Sequence, residues 1–267
     1  MHQRGLQGAA PVSNMKVAAI IPARMASSRY LGKPLINIQG LPMIEHVRRR
    51  TLMCESFSDV VVATCDQEIY NTVKEFGGEV IMTSANHIIA SDRVAEASEK
   101  LDCEYIINVQ GDEILVFPED LDRMIASIEA NPDRQYWNAT AKIETNDELG
   151  DESIVKCIVS KSGKIIYCCR NFSHLQLTNG FEPVQKIIGV LGYSREGLSN
   201  YIYLSRTPIE EIQSIEQSRI IEHDIPIKAV PFSNGCPGIN DKEEEKKVRE
   251  ILKMDSRQKK LLEKILN

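Results

Sequence analysis

Three short segments concentrate the side chains able to do chemistry. The first is Pro22-Ala23-Arg24-Met25-Ala26-Ser27-Ser28-Arg29-Tyr30-Leu31-Gly32-Lys33-Pro34, with three cations, two serines and a glycine behind an apolar run. Backbone N–H groups and hydroxyls in such a loop can wrap polyphosphate oxygens while Arg24 and Lys33 neutralise their charge. A Walker A pattern, GxxxxGK[ST], is absent, and spacing alone equally permits a solvated basic loop. The second is Asn108-Val109-Gln110-Gly111-Asp112-Glu113, a polar cluster closing an apolar run. A carboxylate there suits Mg²⁺, which takes one or two carboxylates plus substrate phosphates, and it equally suits a strand-ending turn with a capping Asp. The third is His87-Ile88-Ile89-Ala90-Ser91-Asp92-Arg93. Spacing favours Ser91 or Asp92 as the cap of a following helix, with Glu96 assisting, over polar groups laid on a bound base or sugar.

These segments need a scaffold that brings strand ends together. Lys16 to Ile21, Asp59 to Thr64, Glu79 to Thr83 and Glu104 to Val109 read as buried strands. Met43 to Met53, Gln67 to Phe76 (stopped by Gly77-Gly78), a stretch opening at Ser91 and Pro118 to Ala130 read as helices. Strands alternating with helices predict βαβ units and a mainly parallel sheet, in which ligands bind beyond the carboxyl ends of the strands. From Tyr136 the rhythm changes. Ser153 to Ser160 and Lys164 to Cys169 flank the turn Lys161-Ser162-Gly163 as a hairpin, and Lys186 to Tyr193 and Pro226 to Pro231 are further strands. Leu198 to Tyr203 and Ile209 to Ile221 read as helices, and Asp241 to Leu266 as a charged amphipathic helix pair expected to pack on its own domain. The expected organisation is one α/β domain over 15–267, with an inserted β-rich subregion over 136–193, behind a flexible tail over 1–14.

Composition narrows the function classes. The 267 residues are 42% hydrophobic and 26% charged, which is globular. A net charge of −6 supplies no basic field for phosphate backbones, so nucleic acid is not an expected partner. The seven cysteines include no CxxC pair, which argues against zinc ribbons and disulfide frameworks and for a reducing, cytoplasmic setting. No apolar run approaches the ~18 residues of a membrane span, and the N-terminus has no apolar leader core.

The run IIPARMASSRYLGKPL, the segment NVQGDE, the piece GGEVIMTSANH ahead of ASDRVAE, and IEQSR resemble the 3-deoxy-manno-octulosonate (Kdo) cytidylyltransferases of lipopolysaccharide synthesis. The similarity spans roughly residues 15 to 250. It implies a Rossmann-like nucleotidyltransferase fold, CTP as donor, Mg²⁺ and a homodimer. It also implies attack of an acid-sugar hydroxyl on the α-phosphate with release of pyrophosphate, a chemistry of positioning and charge neutralisation without a covalent nucleophile. The chain shows no Ser/His/Asp or Cys/His arrangement that would compete with it.

By that resemblance Arg24, Ser27, Ser28 and Lys33 hold the CTP phosphates, with Lys33 near the transferring phosphate, and Arg93 lies near the nucleotide. Gln110 faces the sugar and Asp112 holds Mg²⁺, so that Lys33, Arg24 and Asp112 are the expected catalytic set. Arg170 is expected to pair the acceptor carboxylate, and Glu216 and Gln217 to bond its hydroxyls. Departures cluster on the acceptor side. Asn240 stands where the family has the second metal carboxylate, with Asp241 one residue later as a candidate substitute. Ile187 and Leu191 stand where the family has a sugar-facing His and Tyr, and Ala90 where it has Gly. The expectation is a CTP-dependent cytidylyltransferase for an acidic acceptor (Kdo, a related ulosonic acid or a phosphonate), with a degenerate, non-catalytic nucleotide-binding homologue as the alternative.

Overall fold

The computed structural model describes residues 15–26, 30–174, 183–233, 235 and 237–267. The expected tail over 1–14, and Ser27 and Ser28, lie outside the described residues.

The first half alternates as its hydrophobic runs require. It comprises β1 (Val17–Ala23), a 3-10 turn (Lys33–Leu35), the short pair β2 (Asn37–Ile38) and β3 (Leu41–Pro42), α1 (Met43–Leu52), β4 (Asp59–Thr64), α2 (Gln67–Glu75), β5 (Glu79–Met82), α3 (Ala90–Ser98), β6 (Tyr105–Val109) and α4 (Pro118–Glu129). The second half comprises β7 (Tyr136–Lys142), α5 (Asp147–Gly150), β8 (Lys156–Val159), β9 (Lys164–Cys169), β10 (Val184–Ser194), α6 (Arg195–Tyr201), α7 (Pro208–Gln213), α8 (Gln217–Glu222), β11 (Ile227–Pro231), α9 (Lys242–Met254) and α10 (Ser256–Leu266).

One sheet carries the order β5-β4-β1-β6-β10-β7-β11-β9-β8. Strands β5, β4, β1 and β6 run parallel, and every residue of β1 is buried, as a strand covered on both faces must be. The strand extends two residues past its expected end, through Pro22. The ladder to β6 ends at Ile20, so Pro22 sits where no donor is needed on that side. Beyond β6 the sheet turns antiparallel: β10 pairs with β6 and β7. Val184 to Lys186 of β10 also pair with β8, and β7–β11–β9–β8 completes a closed ring of strands. The β-rich segment is therefore continuous with the main sheet.

Two helical expectations change. Ile209 to Ile221 is not one helix: Ser214, at φ 52°, breaks it into α7 and α8. Helix α3 opens at Ala90 behind Ile89, with no side-chain cap. Ser91 and Asp92 lie inside the helix, and Glu96 instead accepts the Ser84 N–H at 2.8 Å. The C-terminal pair packs at home: Val248, Leu252, Leu262 and Ile265 share a core with Met43, Ile44 and Val47 of α1.

Candidate active site

The carboxyl ends of β1 and β6 open onto a cavity of about 270 Å³. Its wall includes Arg24, Lys33, His87, Ile88, Ile89, Ala90, Arg93, Gln110, Asp112 and Asn240. A second cavity, of about 670 Å³, lies toward the strand ring and α9. The two share Gln110, Asp112 and Asn240. Gly111 makes this junction possible, because a Cβ there would meet the Pro22 carbonyl oxygen at 2.8 Å.

At the junction Lys33 Nζ donates to Asp112 Oδ2 at 3.0 Å and to Asn240 Oδ1 at 3.4 Å. One carboxylate and one amide carbonyl thus converge on a position already suited to a cation. Asp241, the candidate substitute ligand, is turned to another task. It lines neither cavity, and its Oδ1 accepts the Glu243 and Glu244 N–H groups at 2.9 Å each as the N-cap of α9.

In the smaller cavity, Arg24 is exposed at the mouth and donates to the Ile88 carbonyl at 3.3 Å. Arg93 is buried and donates to Thr83 Oγ1, to the Ser84 carbonyl at 3.3 Å and to Cys65 Sγ at 3.4 Å. His87 Nε2 meets Glu96 Oε2 at 2.5 Å, which ties the 84–87 loop to α3.

In the larger cavity the expected acceptor residues separate. Gln217 lines it, and its Nε2 donates to Asn138 Oδ1 at 2.8 Å. Glu216 lines it, with a carboxyl held above its ordinary value chiefly by burial. Ile187 lines it, but Leu191 does not: that side chain is 2% exposed and belongs to the core. Arg170 lines it, but its guanidinium is committed to backbone. Nε donates to the Gln213 carbonyl at 2.8 Å, Nη1 to Glu152 at 2.8 Å and Nη2 to Ser214 at 3.3 Å. The break at Ser214 leaves the carbonyls at the end of α7 without helical partners, and Arg170 caps them. A pairing of Arg170 with an acceptor carboxylate would have to compete with these bonds.

Four residues in or directly behind the wall of this cavity escaped sequence reasoning. Glu113 accepts the Gly189 N–H at 2.7 Å, and its carboxyl is pushed up to about 8 by burial, with Asp112 adding repulsion. Lys156, wholly buried, donates to the carbonyls of Asp151 (2.7 Å), Ile154 (2.8 Å) and Arg170, and so fixes the loop that forms one wall. Glu148 accepts from Lys186 Nζ at 2.7 Å. Lys247 of α9 lines the cavity and makes no hydrogen bond or ion pair among the described residues. The NVQGDE run was a signal for Glu113; Lys156, Glu148 and Lys247 sit on β8, α5 and α9, which only the tertiary fold brings together. Even with Glu113 protonated, the lining holds Asp112, Glu148, Asp151, Glu216, Glu244 and Glu250 against Arg170, Lys186 and Lys247, an excess of acidic groups.

A family model described as cytidylyltransferase matches residues 18–227. The chain belongs to the cytidylyltransferase family, and its chemistry is that of a nucleotidyltransferase. Its named relatives define the branch. A 3-deoxy-manno-octulosonate cytidylyltransferase of Fusobacterium nucleatum is 36% identical, over 90% of this chain and 98% of the relative. An 8-amino-3,8-dideoxy-manno-octulosonate cytidylyltransferase of Shewanella halifaxensis is 32% identical, over 86% and 96%. Among solved structures, a CMP:2-keto-3-deoxy-manno-octonic acid synthetase complexed with CTP superposes with a TM-score of 0.84 at 31% identity, over 90% of this chain and 99% of that one.

Proposed function

We propose that this chain transfers CMP from CTP to the hydroxyl of an ulosonic acid. The reading is carried by the two cavities that meet at Gln110, Asp112 and Asn240 beside Lys33. CTP takes the smaller cavity, with Arg24, Lys33 and Arg93 toward its phosphates and Gln110 between donor and acceptor. Ser27 and Ser28 belong to the same reading. The acceptor takes the larger cavity beside Gln110, Ile187, Glu216 and Gln217. Its hydroxyl oxygen gives its proton to water and bonds to the α-phosphorus, the bond from that phosphorus to the bridging oxygen breaks, and pyrophosphate leaves with the bridging electron pair. Lys33 neutralises charge that develops on the transferring phosphoryl group.

The oxygens of Asp112 and Asn240 fit a hard divalent cation, because Mg²⁺ uses few protein carboxylates and completes its shell with phosphates and water. Bound there, Mg²⁺ would draw charge from the phosphate oxygens. Asp112 then provides the anionic ligand and Asn240 a neutral one, while Lys33 shifts from Asp112 to the nucleotide.

Acceptor chemistry follows from the larger cavity. With Arg170 and Lys186 already partnered, Lys247 is the cation best placed for the acceptor carboxylate. The excess of carboxylates favours an acceptor that also carries a cationic group, such as an amino-ulosonic acid, over the doubly charged phosphonate. A cytoplasmic homodimer belongs to the same reading; among the described residues six cysteines are unpaired and five of them are buried, consistent with a reducing compartment.

Pyrophosphate release from CTP and Mg²⁺ across Kdo, 8-amino-3,8-dideoxy-Kdo, a sialic acid and two phosphonates tests the proposal. Release with the ulosonic acids, the amino form foremost, is expected. Release with a phosphonate alone overturns the acceptor assignment, and silence with every acceptor while CTP still binds supports the degenerate alternative.

A further inference from the structure

Ser91 is completely buried in the first turn of α3, and its hydroxyl faces away from the nucleotide cavity. It donates to Glu216 Oε2 at 2.6 Å and lies 3.1 Å from the Tyr193 hydroxyl. The Tyr201 hydroxyl reaches the same carboxylate oxygen at 3.5 Å. Arg219 of α8 attracts Glu216 without a hydrogen bond to it, its guanidinium being held by Glu210 through two bonds of 2.8 and 2.5 Å. Asp92 on α3 and Glu210 on α7 add negative charge around it. Glu216 is therefore a carboxylate held by hydroxyls alone, and its Oε1 accepts no hydrogen bond among the described residues.

The chain neighbours of Ser91 look the other way. Ile89 and Ala90 before it, and Arg93 after it, line the smaller cavity, whereas Glu216 lines the larger one. The N-terminal turn of α3 has no side-chain cap to seat it; Arg93 ties it to the 83–84 segment, and the bond from Ser91 ties it to the acceptor side. A charge-assisted hydrogen bond of this kind, in a site shielded from water, is among the stronger polar contacts.

We propose that the Ser91–Glu216 hydrogen bond couples the two cavities, with Ser91 as a positioning residue that seats the nucleotide-facing turn of α3 on the acceptor-facing carboxylate. An acceptor group that donates to Oε1 draws on the same carboxylate, so filling one cavity is felt in the other. The coupling rests on the assignment of CTP to the smaller cavity and needs no knowledge of the acceptor.

Calorimetric titration of the full chain with CTP and Mg²⁺, without acceptor, tests it. Glu216→Ala, a change in the other cavity, is expected to weaken CTP binding about tenfold, within the usual range of coupling between sites. Ser91→Ala is expected to match it, and the double variant to lose no more than either single. Ser91→Thr and Glu216→Gln, which keep donor and acceptor, should bind CTP like the parent, a rescue that a packing role alone does not explain. Parental CTP affinity in Glu216→Ala overturns the coupling, as do additive losses in the double variant or a failure of Ser91→Thr to rescue. If Ser91→Ala does not fold, the half-buried Glu216→Ala and its Gln counterpart decide alone. A parent chain that does not bind CTP overturns the nucleotide assignment itself and the coupling with it, and that outcome is visible before any variant is made.

Discussion

Lys33 and Asp112, 79 positions apart in sequence, form an ion pair of 3.0 Å at the seam between the two cavities. The side chains are only 14% and 19% exposed, so the pair feels a weaker dielectric than a surface pair does. The same ammonium reaches the Asn240 carbonyl oxygen, and one cation is therefore shared by an anionic and a neutral ligand. Asn240→Asp puts a second carboxylate at this point, so the Mg²⁺ concentration for half-maximal activity is expected to fall about tenfold, a difference of ~1.4 kcal/mol. Lys33→Met is expected to lower kcat by 10²- to 10³-fold, on the order found for loss of one transition-state donor. An Mg²⁺ titration of turnover that is unchanged in Asn240→Asp removes Asn240 from the metal ligands.

Arg170 makes a different kind of prediction. Its fork spans the carbonyls of Glu152, Gln213 and Ser214, which no single ammonium can bridge with the same geometry. Arg170→Lys is expected to cost about 2–3 kcal/mol in urea unfolding, as charged hydrogen bonds to partly buried carbonyls are lost. The acceptor KM should rise while the CTP KM holds. A variant of parental stability whose acceptor KM still rises would return Arg170 to direct acceptor contact.

The parallel half of the fold was legible because burial on both faces makes β1, β4 and β6 near-continuous apolar runs, and because polar residues at strand ends collect on one edge of such a sheet. Arg24, Lys33, Gln110 and Asp112 were readable for that reason. Arg170 was not, because its role depends on a helix that breaks at Ser214, and neither flanking residue is a Gly or Pro that would announce the break. The N-cap role of Asp241 has a local origin: followed by Glu243, Glu244 and Glu245, it begins a helix, and its carboxylate accepts that helix's first N–H groups. The larger cavity's charge could not be read at all, since α5, α8 and α9 contribute to it from distant parts of the chain.

Glu113 links the site to pH. Its carboxyl moves from 4.5 up to about 8, because burial and Asp112 outweigh the Gly189 N–H and Lys33. The folded chain therefore keeps a proton that the unfolded chain releases at lower pH. Stability from this group is complete below about 4.5 and is lost as pH rises through about 8. Glu113→Gln keeps an acceptor for Gly189 without the charge. In metal-free buffer its melting temperature should match the parent near pH 4 and exceed it by a growing margin as pH rises to about 8. Parallel melting profiles for the two chains from pH 6 to 9 would show that Glu113 titrates normally.

Ile187 and Leu191, both acceptor-side positions by resemblance, differ in environment. Between them β10 advances four residues while β7 advances two, from the pair Ile187↔Thr140 to the pair Leu191↔Asn138. This bulge carries Ile187 to the cavity wall and leaves Leu191 inside the core. A polar side chain at the two positions should therefore act in opposite ways. Ile187→His places a hydrogen-bonding ring against the acceptor and is expected to lower the KM for Kdo about tenfold, the gain from one well-placed bond. Leu191→Tyr instead forces a larger ring and a hydroxyl into packed surroundings and is expected to cost about 1–3 kcal/mol of stability with no gain in KM. Steady-state kinetics with Kdo, read beside urea midpoints for both variants, separates the two effects. A lower KM in Leu191→Tyr would mean that this side chain reaches the acceptor after all, and that the cavity extends deeper along β10.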